Sequence, residues 1–266
     1  MPPFAPDLRW IGTEPAPVER VCARGPLVVH FIDAAHASSV RTLPYLRAWH
    51  ERYAPHGLTV VGVNSPRFPF TGEETKLRTA LRRLRVPFPV AVDDAYRAWH
   101  DYGCEGWPSL FLWGRGGALR WFHFGEGEYT ATEQAIQQEL AALSPALDLP
   151  GPLAPLRAAD APGALVARPT EEVLPGGSIS QPWRPAGGGE PLRLAYEAGG
   201  AWASVDGHGT LRVALDGGPP TEIAVGAPGA YELSAHERHE GHRLQLGASP
   251  EISVYAVAFS AGLPPA

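Results

Sequence analysis

Three residues in the stretch FIDAAHASSVR carry side chains that do chemistry: Asp33, His36 and Ser39, spaced three apart. An acid, an imidazole and a hydroxyl are the parts of a hydrolase triad, but a triad is recognised by geometry, and no oxyanion-stabilising motif accompanies this one. The chain has two cysteines, Cys22 and Cys104, so it holds neither a disulfide framework nor a cysteine zinc ribbon. Far downstream, HERHEGH (236–242) sets His236, His239 and His242 among acids. Imidazoles at such spacing can bind a transition metal. The run lies between two expected strands, however, where a solvated turn is the simpler expectation, so these three are weak metal candidates and no metal or cofactor is expected.

The elements that must position these groups follow from periodicity. LVVHFID (27–33) is apolar and β-branched, as a buried central strand requires. SSVRTLPYLRAWHERYAPHG has apolar residues at helical spacing, with Gly57 at its end and Pro44 inside, which predicts a kink. LTVVGVNSP predicts a second buried strand, EETKLRTALRRLRV an amphipathic helix, FPVAVDD a short strand, and YRAWHDYG a helix closed by Gly103. WPSLFLWGRGGALRWFHFGEG predicts two strands joined at GRGG, and YTATEQAIQQELAAL a helix started by threonine. The order β-α-β-α-β-α-β-β-α implies an α/β domain with a mixed central sheet and helices on both faces.

From about residue 143 the composition shifts to Pro and Ala, as in a linker or an extended wrap. Beyond Pro169, seven short alternating runs separated by GG and DG turn signals predict an all-β, jelly-roll-like sandwich. The expected organisation is therefore 1–142, a linker at 143–168, and 169–266. Trp183, Tyr196, Trp202 and Tyr231 in the last part raise a sugar-stacking site, although aromatics alternating along strands are more often core.

With a net charge of -6 and no long basic run, the 266-residue chain lacks the footprint of a nucleic-acid binder. No stretch approaches the ~20 apolar residues of a membrane span, and the N-terminus does not read as a signal peptide. The expectation from the chain as written is a cytoplasmic protein.

RTLPYLRAWH (41–50), VGVNSPRF (61–68), the YG…WP segment (102–108) and FHFGEGEY (122–129) together resemble the redoxin branch of the thioredoxin superfamily. More narrowly, they resemble the C-terminal region of DipZ-type proteins, in which a redoxin domain precedes a carbohydrate-binding-like β-sandwich; LRVALDGGPP is the most recognisable piece of the latter. The resemblance implies a thioredoxin-like fold, an extracytoplasmic setting for relatives and a thiol-disulfide site built on CxxC. The two cysteine positions are His36 and Ser39 here, the loop tryptophan is Ile32, and the buried acid of the strand is His30. Neither imidazole nor alcohol forms a mixed disulfide. The expectation is a module without dithiol chemistry. Its groove, by Trp107 and the family's cis-proline position Pro108, would hold an extended peptide or small ligand. Two alternatives stand beside it: a redox protein using Cys104 near His36, and carbohydrate binding through the second domain.

Overall fold

The computed structural model describes residues 1–13, 15, 17–185 and 190–265. Its first part is a six-stranded mixed sheet in the order β1-β4-β3-β2-β5-β6. The central strands β2 (Leu27–Ile32), β3 (Thr59–Asn64) and β4 (Val90–Val92) run parallel. β5 (Ser109–Trp113), β6 (Leu119–Phe124) and β1 (Arg9–Ile11) are added antiparallel. Alternation along β2 explains its largely apolar sequence. Val28 and Ile32 face a core built with α2 (Ala37–Tyr53), α3 (Glu74–Arg83) and α5 (Tyr129–Leu143). Leu27, Val29 and Phe31 face a second core with α1 (Val18–Arg24) and α4 (Arg97–Tyr102). Both faces are covered, and the one polar residue of the strand, His30, is buried with the rest.

The details follow local chemistry. α2 passes through Pro44 and ends in a short 3-10 turn at Ala54–His56, after which Gly57 takes φ +103, where a side chain is strained. α5 is preceded by Glu128 in the left-handed region with no side-chain cap; the expected threonine start is absent, and Thr132 instead accepts the Trp121 indole N–H at 3.0 Å. β1 and α1, which periodicity does not announce, close the sheet edge and the face beneath it.

After α5 the chain from Leu147 to Asp160 lies as a strap across α2 and α5. Leu147, Leu149 and Leu153 pack on the core of that face. The backbone is pinned by Leu153 N–H to Glu133 (2.8 Å), Gln137 to the Pro150 carbonyl (2.7 Å) and Leu156 N–H to Tyr45 Oη (2.8 Å). Tyr45 Oη in turn donates to Asp160 at 2.7 Å.

The second part is one antiparallel sheet of five strands, β11-β7-β10-β8-β9, which fits a β-sandwich. The seven expected runs merge into five because β7 (Leu192–Asp206) and β10 (Gly229–Ala248) are each a fusion of two. β8 (Gly209–Leu215) and β9 (Thr221–Val225) extend the sheet at one end of the long pair, and β11 (Ser253–Ser260) pairs with the other end. Residues from both ends share one core, among them Ala203, Val205, Val254, Leu211 and Leu246. Bulges between Glu232/Ser234 and Ala235/Glu240 interrupt the long pair, as bends that let a sheet fold on itself require. Among the described residues the strands form this one five-stranded sheet. Among the described residues no helix is long and apolar enough to cross a membrane.

Candidate functional site

The β2–α2 loop is built around Asp33. Its fully buried carboxylate accepts four hydrogen bonds: Ala35 N–H (2.6 Å), Arg67 N–H (2.6 Å), Phe68 N–H (3.3 Å) and Thr71 Oγ1 (2.6 Å). Burial outweighs these bonds and pushes its pKa up. Ser39 is also fully buried, and its Oγ accepts the Asp33 N–H at 3.2 Å. Both groups are thus consumed in fixing the loop. Asp33 does not orient His36, and Ser39 is not presented to it, so the three do not form a triad.

His36 sits at the N-cap of α2 but makes no side-chain cap. Its Nδ1 is buried without a hydrogen-bond partner, and its ring centre lies 6.2 Å from that of Trp107. Burial, and then the charge of Arg67, lower its pKa to about 3, so it is a neutral imidazole at physiological pH and a weak base. His30, on β2 directly below, is fully buried with both ring nitrogens unpartnered, and burial lowers it to about 3 as well.

Trp107 and Pro108 form the facing loop, and the peptide between them is cis. Trp107 donates its indole N–H to the Ser65 carbonyl at 2.8 Å and lies 4.4 Å from the Trp99 ring; the Pro108 carbonyl accepts Gly125 N–H at 2.7 Å. Cys104 packs half-buried in the same apolar cluster as Trp107, and burial pushes its thiol up to about 12 despite a hydrogen bond with Ser109. A thiol in that state is not a nucleophile at neutral pH. Cys22 is buried, and no disulfide joins it to Cys104.

The β-domain closes over this end of the α/β domain. Ser204 Oγ donates to the Ala35 carbonyl at 2.7 Å. Tyr255 inserts beside Phe70 and Phe68, with ring centres at 4.8 and 6.0 Å, and Ala35 shares their cluster. Around them lie a bidentate Arg67–Glu172 pair, Lys76–Asp206 (2.9 Å), and Arg83, which donates to the Ala230 carbonyl (3.0 Å) from 4.2 Å above the Tyr231 ring. Sequence inspection did not single out Arg67, Ser204 or Tyr255. Only Arg67 left a trace, inside the VGVNSPRF motif.

The four aromatics considered for sugar stacking are placed otherwise. Tyr196 and Tyr231 are buried core residues, Trp202 lies under Arg41 at 6.0 Å, and Trp183 is half-buried with its backbone paired to Val254. They do not present the two coplanar exposed rings that stacking needs. The histidine run is not a turn between strands but lies within β10. His236 and His242 meet there, whereas His239 points away toward Glu197 (3.8 Å), and Glu240 takes the place expected of it.

No protein-family model matches the chain. It is 27% identical over a 296-residue alignment to Protein DipZ of Mycobacterium tuberculosis and, equally, of Mycobacterium bovis; the match covers 96% of this chain and 42% of that protein. The chain thus spans about two-fifths of the length of the DipZ proteins it matches. NHL repeat-containing protein 2 of Bos taurus is 29% identical over 129 residues, 48% of this chain and 18% of that protein. Among solved structures, a thiol-disulfide isomerase from Corynebacterium glutamicum is similar at 21% identity and a TM-score of 0.47, covering 53% of this chain and 96% of its own.

Proposed function

Taking the chain as a thioredoxin-like redoxin protein homologous to DipZ, we propose that it is a non-catalytic binding or scaffold module. One observation carries this reading: the two positions where the family's cysteines belong hold a half-buried neutral imidazole, His36, and a buried hydroxyl, Ser39, already bonded to the backbone. Neither can become the thiolate that opens a disulfide or the second thiol that resolves it. Cys104 does not substitute, because its thiol stays protonated. Closure by the β-domain supports the same conclusion, since the loop a disulfide substrate must reach is tied to Ser204 and covered by Tyr255. In this reading 1–142 and 169–266 act as two domains joined by the 143–168 strap. The part of the groove flanked by Trp107 and Pro108 takes an extended peptide or small ligand.

The test is disulfide exchange. The purified chain is added to a disulfide-bonded peptide with dithiothreitol as electron donor, and reduction is followed by mass spectrometry. The expected rate is that of dithiothreitol alone. Catalysed reduction that disappears in Cys104→Ser would show a working thiol and end the non-catalytic reading.

A further inference from the structure

The histidine run in β10 is shaped by a displacement of its backbone. Pairing with β7 passes from Ala235↔Gly200 to Glu240↔Ala198, so β10 advances five residues (240 − 235) while β7 advances two (200 − 198). The three extra residues are expelled as an excursion. The C-terminal segment holds it there: His239 N–H donates to the Leu263 carbonyl at 2.7 Å, and Leu263 N–H to the Glu237 carbonyl at 3.0 Å. In an extended strand, residues 236 and 242 would stand about 20 Å apart. Here their imidazoles stack, with centres 4.2 Å apart and planes at 19°.

Glu240 completes the cluster, with its Oε2 at 3.5 Å from His242 Nε2. One ligand atom from each of His236, Glu240 and His242 lies within 4.8 Å of the others. His242 is oriented from behind. Its Nδ1 lies 2.7 Å from Asp216 Oδ2, and since a carboxylate only accepts, Nδ1 carries a hydrogen and Nε2 is the ring atom left to face the cluster. Nε2 is buried, has no hydrogen-bond partner, and lies 3.5 Å from the Glu240 carboxylate. A metal ion between Nε2 and that carboxylate satisfies both. Carboxylate–histidine–metal is the usual way a ligating imidazole is held.

We propose that His236, Glu240 and His242 bind one divalent transition-metal ion of the zinc class, with Asp216 as the positioning residue for His242. Two imidazoles and one carboxylate suit zinc, cobalt or nickel, whereas calcium and magnesium prefer oxygen ligands alone. Tetrahedral zinc with bonds of ~2.0–2.2 Å places its ligands about 3.3 Å apart, so the side chains close in by up to about 1.5 Å. A cleft of about 870 Å³, lined by Tyr196, Asp216, His242 and Arg243 among others, reaches one of the three ligands, His242, and its partner Asp216 from solvent.

The test uses the full chain without a histidine tag, titrated with Co²⁺ by visible absorption and with Zn²⁺ by calorimetry. One ion per chain is expected. His242→Ala is expected to abolish saturable binding, and Glu240→Gln to weaken it. Asp216→Asn is expected to cost about 10–100-fold, the range for an outer-shell partner. His239→Ala is expected to leave affinity unchanged. Glu240 and Asp216 are half-exposed, so their variants report on binding without threatening the fold. Absence of saturable binding in the parent chain overturns the proposal. So does an affinity loss in His239→Ala equal to that in His242→Ala, because that would describe a histidine-rich segment and not this cluster.

Discussion

Alkylation of Cys104 separates a buried structural thiol from a reactive one. Its thiol titrates at about 12 where an ordinary one titrates at 9.0. At pH 8 the thiolate fraction therefore falls about a thousandfold relative to the unfolded chain. A more basic thiolate is a better nucleophile, and a Brønsted coefficient of ~0.4–0.5 returns about 1.2–1.5 of those three decades. The net retardation from ionisation is then ~30–60-fold, and packing against Trp107 adds to it. The assay is iodoacetamide labelling at pH 8, native and in urea, with peptide mapping to separate Cys104 from Cys22. A native rate equal to the unfolded one, or a pH–rate profile inflecting below 9, would refute the reasoning and restore a single-thiol redox protein.

Two further predictions concern the same end of the molecule. His30 and His36 titrate at about 3 when folded and near 6.5 when unfolded, so the unfolded chain binds more protons and stability falls as pH drops from 6.5 toward 3. Asp33, whose pKa is raised, acts in the opposite sense. His36→Asn removes one of the histidine protons, so below pH 6 the pH dependence of unfolding free energy should flatten by about 1.4 kcal/mol per pH unit, measured by urea unfolding; equal slopes for the two proteins would refute the burial assignment. Tyr255→Ala removes the ring packed beside Phe68 and Phe70 and should cost about 3–5 kcal/mol by the same measurement. It should also speed hydrogen exchange at Ala34 and Ala35. Unchanged protection there would show that the β-domain does not close the loop.

Much of the α/β domain was legible because its signals are local. The buried run at 27–33, the helical spacing after it, the GRGG turn and the glycines at 57 and 103 each fix their element through their own residues. β1 and α1 were missed because three residues of strand and an uncapped helix carry almost no period; their pairing with β4 and packing under Phe31 create them. The β-domain was read as seven runs because bulges and the excursion at 236–239 look like turns in sequence, yet the strands continue through them.

At the site, the sequence by itself determined that positions 36 and 39 carry no sulfur. Thiol exchange depends on atom type, and no packing turns His36 or Ser39 into a sulfur nucleophile. It also determined the elements that carry those positions, since hydrophobic period is a property of adjacent residues. Only the tertiary structure decided what the remaining groups do. Asp33 became a loop anchor because the amides of Arg67 and Phe68, more than thirty residues away, converge on it. Cys104 has its thiol pKa pushed up by burial, which depends on neighbours and not on its own spacing. His242 met His236 and Glu240, and lost His239, because a register shift against β7 and a C-terminal segment some 25 residues downstream folded that piece of strand. Contacts of that range leave no period in the chain, so they had to be found in three dimensions.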